Sequence, residues 1–161
     1  MRTESSRGEQ YDALEVLKLQ HREVEQLFSK FEKTKDEKEC YAVAQTICEK
    51  LEVHSTIEEE LLYPTARSKG KDGEVKDLVL ESLEEHLSVE RIVADVMDSA
   101  PGDERLRAKV YVLKEQVLHH VEEEEKQLFP LLKKELPAEE RRTLGEQLLA
   151  RTHELSEDVE K

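Results

Sequence analysis

A chain of 161 residues with a formal net charge of −14, 40% charged and 4% aromatic residues, has the size of one domain. It is too acidic to take nucleic acid or an anionic membrane as its main partner. No apolar run reaches the length of a membrane span, and "MRTESSRGEQ" lacks the apolar core of a signal peptide, so the cytoplasm is the expected compartment.

Five glycines, four prolines and abundant Glu, Lys, Leu and Arg predict an all-α fold. Residues 1–9 show no apolar period and are expected to be disordered. Leu14, Leu17, His21, Val24, Phe28 and Phe31 make the stripe of a first helix over about 10–33. Ile47, Leu51, His54, Glu58 and Leu61 mark a second over about 38–66, closed by the loop "SKGKDGE". Val79, Leu83, His86, Glu90, Val93 and Met97 make the third stripe, which ends before "SAPGD". Val110, Leu113, Val117, His120, Glu124, Leu128 and Leu131 make the fourth, ending near "ELPAEE". Pro137 then opens a short fifth helix with Leu144, Leu148 and Leu155 on its inner face. Short loops between long helices predict an up-down-up-down four-helix bundle over 10–136, with 137–161 as a C-terminal helical extension. Cys40 and Cys48, about 12 Å apart along one helix, are too distant to bridge and are read as reduced structural thiols.

The two hairpins repeat one another. "QHREVEQLF" aligns with "EHLSVERIV", matching His21 with His86, Val24 with Val89 and Glu25 with Glu90. "HSTIEEELLYP" aligns with "HVEEEEKQLFP", matching His54 with His120, Glu58 with Glu124 and Pro64 with Pro130.

A single His–Glu pair at i, i+4 is weak evidence, because all six histidines have one. His153 lies outside the repeat and His119 lies about 100° around the helix from His120, so both are read as surface residues. The other four histidines fall one per helix, mid-helix, at one level of the bundle. Glu58 and Glu124 occupy stripe positions where the period calls for Leu or Val, and an unpaired buried carboxylate would cost several kcal/mol. No Arg or Lys on the stripes lies near that level. Four imidazoles with two or more carboxylates suit iron, manganese or zinc, and exceed what one ion can use.

A His in the first helix, HxxxE in the second, a His-led motif in the third and HxxxE in the fourth, with closing "LLYP" and "LFP", resemble the hemerythrin-like (HHE cation-binding) domain over about residues 11–135. That resemblance implies a bundle holding two iron ions, with an oxo or hydroxo bridge. It makes Glu58 and Glu124 the bridging carboxylates. It gives His21 and His54 to one iron, and His86, His120 and Glu90 to the other. Oxygen carriers of the family have a second His at the position of Glu90 and an Asp one residue beyond Glu124, so the resemblance argues against reversible oxygen carriage. Glu25 is read as a flanking residue, and Glu59 and Glu125 as lying outside the ligand set. The function implied is reaction with, or sensing of, small oxidants such as dioxygen, peroxide or nitric oxide, with catalase-like peroxide decomposition as the concrete enzymatic form. The alternative is a non-catalytic iron-binding or sensing module. The expected partners are a small diatomic or peroxide ligand, without nucleic acid or membrane, and the expected state is a monomer or weak homo-oligomer.

Overall fold

In the computed structural model, Asp12 opens α1 (Ala13–Lys33) with a reciprocal cap: its carboxylate accepts the Glu15 amide and the Glu15 carboxylate accepts the Asp12 amide, each at 3.1 Å. The structure describes residues 11–71 and 73–160, so the expected disorder over 1–9 lies outside the described residues. Asp36 caps α2 (Glu37–Ile57) by accepting the Glu39 amide at 3.0 Å. Only residues 34–36 separate these helices, which makes them antiparallel neighbours.

α2 continues without a break through a π turn at Glu58–Leu62 into α3 (Tyr63–Lys69). After α4 (Gly73–Met97), α5 (Leu106–Glu123) does the same through a π turn at Glu124–Leu128 into α6 (Phe129–Glu135). The prolines of the repeat supply the cause. Pro64 and Pro130 each stand second in the helix after the π turn. Their rings would collide with the carbonyl four residues earlier, and a wider turn relieves the collision. The amides of Tyr63 and Phe129 accordingly reach back five residues, to the Glu58 and Glu124 carbonyls.

Each π turn inserts one residue and rotates the remainder of its helix by about 100°. The inward residues beyond the turns are therefore Leu62 and Tyr63, and Leu128, Phe129 and Leu132, all at most 2% exposed. Leu61 and Leu131, expected on the stripes, are only partly buried.

The α1, α2–α3, α4 and α5–α6 rods form a ring of neighbours, and α7 (Ala138–Glu160) packs against α1 and α2. Expected to be short, α7 has 23 residues. Leu144 and Leu148 enter the core beside Val16 and Leu17. Gly145 lets α7 approach closely, because a Cβ there would stand 2.8–2.9 Å from backbone atoms of Tyr11, Asp12 and Ala13.

The core has two apolar halves. One is built on Val24, Phe28, Ile47, Val93 and Leu113, the other on Leu14, Leu17, Ile57, Val79 and Leu128. Between them lies a buried polar layer. Both cysteines are free and buried, and burial pushes the Cys48 thiol up to about 12. Among the described residues, no helix is long and apolar enough to cross a membrane.

Candidate metal centre

The polar layer consists of His21 from α1, His54 from α2, His86 from α4, His120 from α5, and the first residue of each π turn, Glu58 and Glu124. All six are at most 8% exposed. Ligand atoms of His21, His54, Glu58 and Glu124 lie within 4.8 Å of one another, and so do those of Glu58, His86, His120 and Glu124. Each carboxylate thus belongs to both groups.

Every imidazole is held by its outer nitrogen. His21 Nδ1–H donates to Glu125 Oε2 at 2.6 Å, and His86 Nδ1–H to Glu59 Oε2 at 2.7 Å. His54 Nδ1–H donates to Gln20 Oε1 at 2.7 Å, and His120 Nδ1–H to Glu85 Oε1 at 2.6 Å. Fixing the proton on Nδ1 leaves the Nε2 lone pair turned inward, the arrangement that ligating histidines adopt. The four outer acceptors are themselves repeat partners: Glu59 with Glu125, and Gln20 with Glu85. Two are braced from outside. Arg22 donates to Glu125 at 2.6 Å, and the Gln20 amide donates to Thr152 of α7 at 3.1 Å.

The inner atoms test whether metal fits. His21 Nε2, His54 Nε2, Glu58 Oε2 and Glu124 Oε1 are buried without a hydrogen-bond partner. Yet His21 Nε2 stands 3.2 Å from Glu124 Oε1, and His54 Nε2 stands 3.2 Å from Glu58 Oε2. Proximity without hydrogen-bond alignment is what atoms aimed at a common point produce. On the other side, His86 Nε2 and His120 Nε2 approach to 3.2 Å, a distance that two lone pairs tolerate only with positive charge between them.

The electrostatics agree. Burial alone would lower the histidines, but the Glu124 and Glu125 carboxylates raise His21 to about 9, Glu58 and Glu59 hold His86 up, and Glu124, Glu58 and Glu85 hold His120 up. Burial alone would raise Glu58 and Glu124, but the surrounding histidines hold both below the ordinary carboxylate range. Among the described residues the ion-pair partners of these two carboxylates are all histidines. The layer is built to hold positive charge, and the N and O donors fit borderline transition ions.

Six of the seven residues expected as ligands are therefore brought together. Glu90 is not. It is exposed, and the buried position on α4 after His86 is Val89, at 7%. The third stripe runs Val79, Ser82, His86, Val89, Val93 and Val96, with a three-residue step after His86 where four was expected. Glu25 pairs on the surface with Arg22 at 3.2 Å. His119 and His153 are 65% and 76% exposed, as expected, each beside the glutamate one turn on.

Tyr63 was missed. Its hydroxyl lies 2.5 Å from Glu124 Oε2, 3.0 Å from Glu58 Oε1 and 3.3 Å from His86 Nε2. Burial and the two carboxylates push the phenol well above its ordinary value, so it stays protonated and donates to them. Gln20 and Glu85 were missed as well. The repeat carried a signal for all three, since Gln20 and Glu85 each precede the first histidine of their hairpin and Tyr63 precedes the shared proline.

A cavity of about 30 Å³ lies against the four imidazoles, its other walls including Val24, Leu51, Val89, Val117 and Val121.

Three comparisons bear on this geometry. The crystal structure of a hemerythrin HHE cation binding domain-containing protein from Mycobacterium kansasii superposes with a TM-score of 0.77, covering 90% of this chain and 87% of that one at 24% identity, which shows the fold. A curated DNA nickase from Nostoc sp. (strain PCC 7120) is 26% identical over 138 residues, or 86% of this chain, but the chain spans only 38% of that relative's length. Residues 12–132, which hold the whole polar layer, match the model of the hemerythrin HHE cation binding domain, and the chain belongs to that family.

Proposed function

We propose that the centre holds two iron ions and reacts with small oxidants. The observation that carries this reading is the set of inward, unpartnered donor atoms flanked by an apolar cavity. Glu58 and Glu124 would be shared by the two ions, because each stands in both groups of four, while His21 and His54 would hold one ion and His86 and His120 the other. Iron, when bound, supplies redox chemistry toward dioxygen, peroxide or nitric oxide.

The protein's part is positioning and proton control. The Nδ1 hydrogen bonds fix the imidazoles and increase the donor strength of Nε2. Tyr63 holds a proton at Glu124 Oε2 beside Glu58, where a reacting oxygen could use it. The cavity, with room for about one water-sized molecule and mostly apolar walls, suits a neutral diatomic or peroxide and excludes larger substrates. Peroxide decomposition of the catalase type is the specific activity proposed, with the cytoplasm as the proposed compartment.

The test is metal analysis of the isolated protein, its visible spectrum under oxygen and then peroxide, and oxygen evolution from peroxide. Two irons per chain with peroxide-dependent oxygen release supports the proposal. A zinc-filled centre sinks the redox reading. Iron without turnover leaves the non-catalytic binding or sensing role in its place. The likeness to the Nostoc nickase raises DNA cleavage as a second reading. The net charge of −14 opposes a phosphate backbone, so no nicking of supercoiled plasmid is expected.

A further inference from the structure

The cavity beside the imidazoles shares part of its wall with the outside. Leu51 and Ser55, one turn apart on α2, and Val89 on α4 line the cavity and also a groove of about 480 Å³ bordered by these two helices. Leu51 and Val89 are 6% and 7% exposed, and Ser55 is half-buried. These three side chains form the wall that the groove and the cavity share. Ser55, the most accessible of the three, and the two apolar side chains beside it are the atoms that would have to move for a diatomic to pass.

The groove is also charged. Glu52, Glu59 and Glu90 line it, all exposed. Carboxylates grouped at one mouth lower the local concentration of anions and leave neutral molecules unaffected, an effect that salt removes.

We propose that the α2–α4 groove is the route by which small oxidants reach the centre, that Leu51, Ser55 and Val89 form its gate, and that Glu52, Glu59 and Glu90 make it selective for neutral over anionic ligands. This rests on the proposed iron content of the centre. Glu90 acquires a part at the mouth of the site instead of inside it.

A gate alters the rates of arrival and escape together and leaves the equilibrium alone, and that separates it from a ligand contact. The probe is nitric oxide binding to the reduced, iron-loaded protein, followed by stopped-flow absorbance. Ser55→Phe places a ring where the groove has room for it, and both rates should fall by about tenfold or more with the dissociation constant unchanged. Val89→Ala should raise both. For the charge arm, Glu52→Gln with Glu90→Gln should raise the on-rate of azide on the oxidised protein several-fold at low salt, lose the effect at high salt, and leave the nitric oxide rate as it was.

Metal content and signal amplitude are read first. A wild-type protein without iron overturns both the functional reading and the gate. Normal iron and amplitude with unchanged nitric oxide rates in Ser55→Phe and Val89→Ala overturns the gate alone. A change confined to the off-rate, with affinity moving in proportion, also overturns it, because the residues would then be touching the ligand. If Ser55→Phe fails to fold, Val89→Ala and the charge variants still decide.

Discussion

Tyr63 and Phe129 occupy the same position of two successive hairpins and differ by one oxygen atom, and that oxygen meets both shared carboxylates, Glu58 and Glu124, and the imidazole of His86. Phe129 instead lies parallel to the His21 ring, with centroids 6.0 Å apart. The inner ligands of the two halves are otherwise matched, so the hydroxyl makes them chemically unequal. Tyr63→Phe removes a proton donor while keeping the ring and its packing. Metal content should stay at the wild-type level and peroxide decomposition should fall by about 100-fold, the usual scale for losing a positioned proton donor. Metal analysis beside oxygen evolution checks this, and full turnover in the variant removes Tyr63 from the chemistry.

Because Glu58 and Glu124 each stand in both groups, metal held by either group should be lost together with metal held by the other. Glu58→Ala or Glu124→Ala is expected to empty the centre, whereas His153→Ala, at an exposed position, should leave it full. One metal retained in either carboxylate variant would mean that the halves are independent.

His119 and His120 are neighbours in sequence and opposite in place. His120 is 7% exposed and faces Glu124 and Glu58, while His119 is 65% exposed beside Glu123. His120→Ala should cost most of the bound metal and His119→Ala little, as read by metal analysis of purified protein. Glu90→Ala should also leave metal content unchanged, which it would not do as a ligand.

The contrast between His120 and Glu90 shows what the sequence made legible. Four histidines at one level, and carboxylates where leucine was due, are visible because burial makes them anomalous. Glu90 was misplaced because apolar spacing on a helix alternates between three and four residues, and the step after His86 is three. The repeat already held the correction, since it pairs Val89 with Val24, and both are buried. The π turns were less legible, because nothing in a periodic stripe announces an inserted residue, and Tyr63 faces the centre only through that insertion. Gln20 and Glu85 lie off the stripes altogether. They reach an imidazole of a neighbouring helix, and that depends on how two helices are rotated against each other.

Stability against pH should separate the metal-free protein from the loaded one. His21 is raised from 6.5 to about 9, so the stability it contributes is fully present below 6.5 and is lost as pH rises through about 9, and His86 and His120, raised too, add stability that is likewise lost only on the alkaline side. Glu58 and Glu124 are lowered, so their contribution is present above 4.5 and is lost as pH falls. Chelator-stripped protein should therefore be most stable between about pH 5 and 7 and should lose several degrees of Tm toward pH 9. Bound metal replaces the protons, so the loaded protein should lack the alkaline decline and instead release metal in acid, where protons compete for the imidazoles. Calorimetry of both forms from pH 4.5 to about 9.5 tests this. Parallel curves would mean that the layer does not exchange protons for metal.

α7 reaches the centre through a chain of hydrogen bonds. Thr152 Oγ1 accepts from the Gln20 amide at 3.1 Å, and the Gln20 carbonyl accepts from His54 Nδ1 at 2.7 Å. Without Thr152, nothing in this chain of bonds distinguishes the two ends of the Gln20 amide. Turning its NH2 toward His54 would favour the wrong tautomer, with the proton on the inward Nε2. Thr152→Val, nearly the same size, should therefore weaken metal retention by about tenfold, the lower end of the range for losing an outer partner of a ligating histidine. Gln20→Glu in the same background should restore retention, because a carboxylate accepts at either oxygen and reproduces the arrangement of Glu85 with His120. The measurement is the rate of metal loss to a chelator in wild type, Thr152→Val and the double variant, with Tm as a control for folding. Loss that tracks Tm and is not rescued by Gln20→Glu would reduce α7 to a packing element.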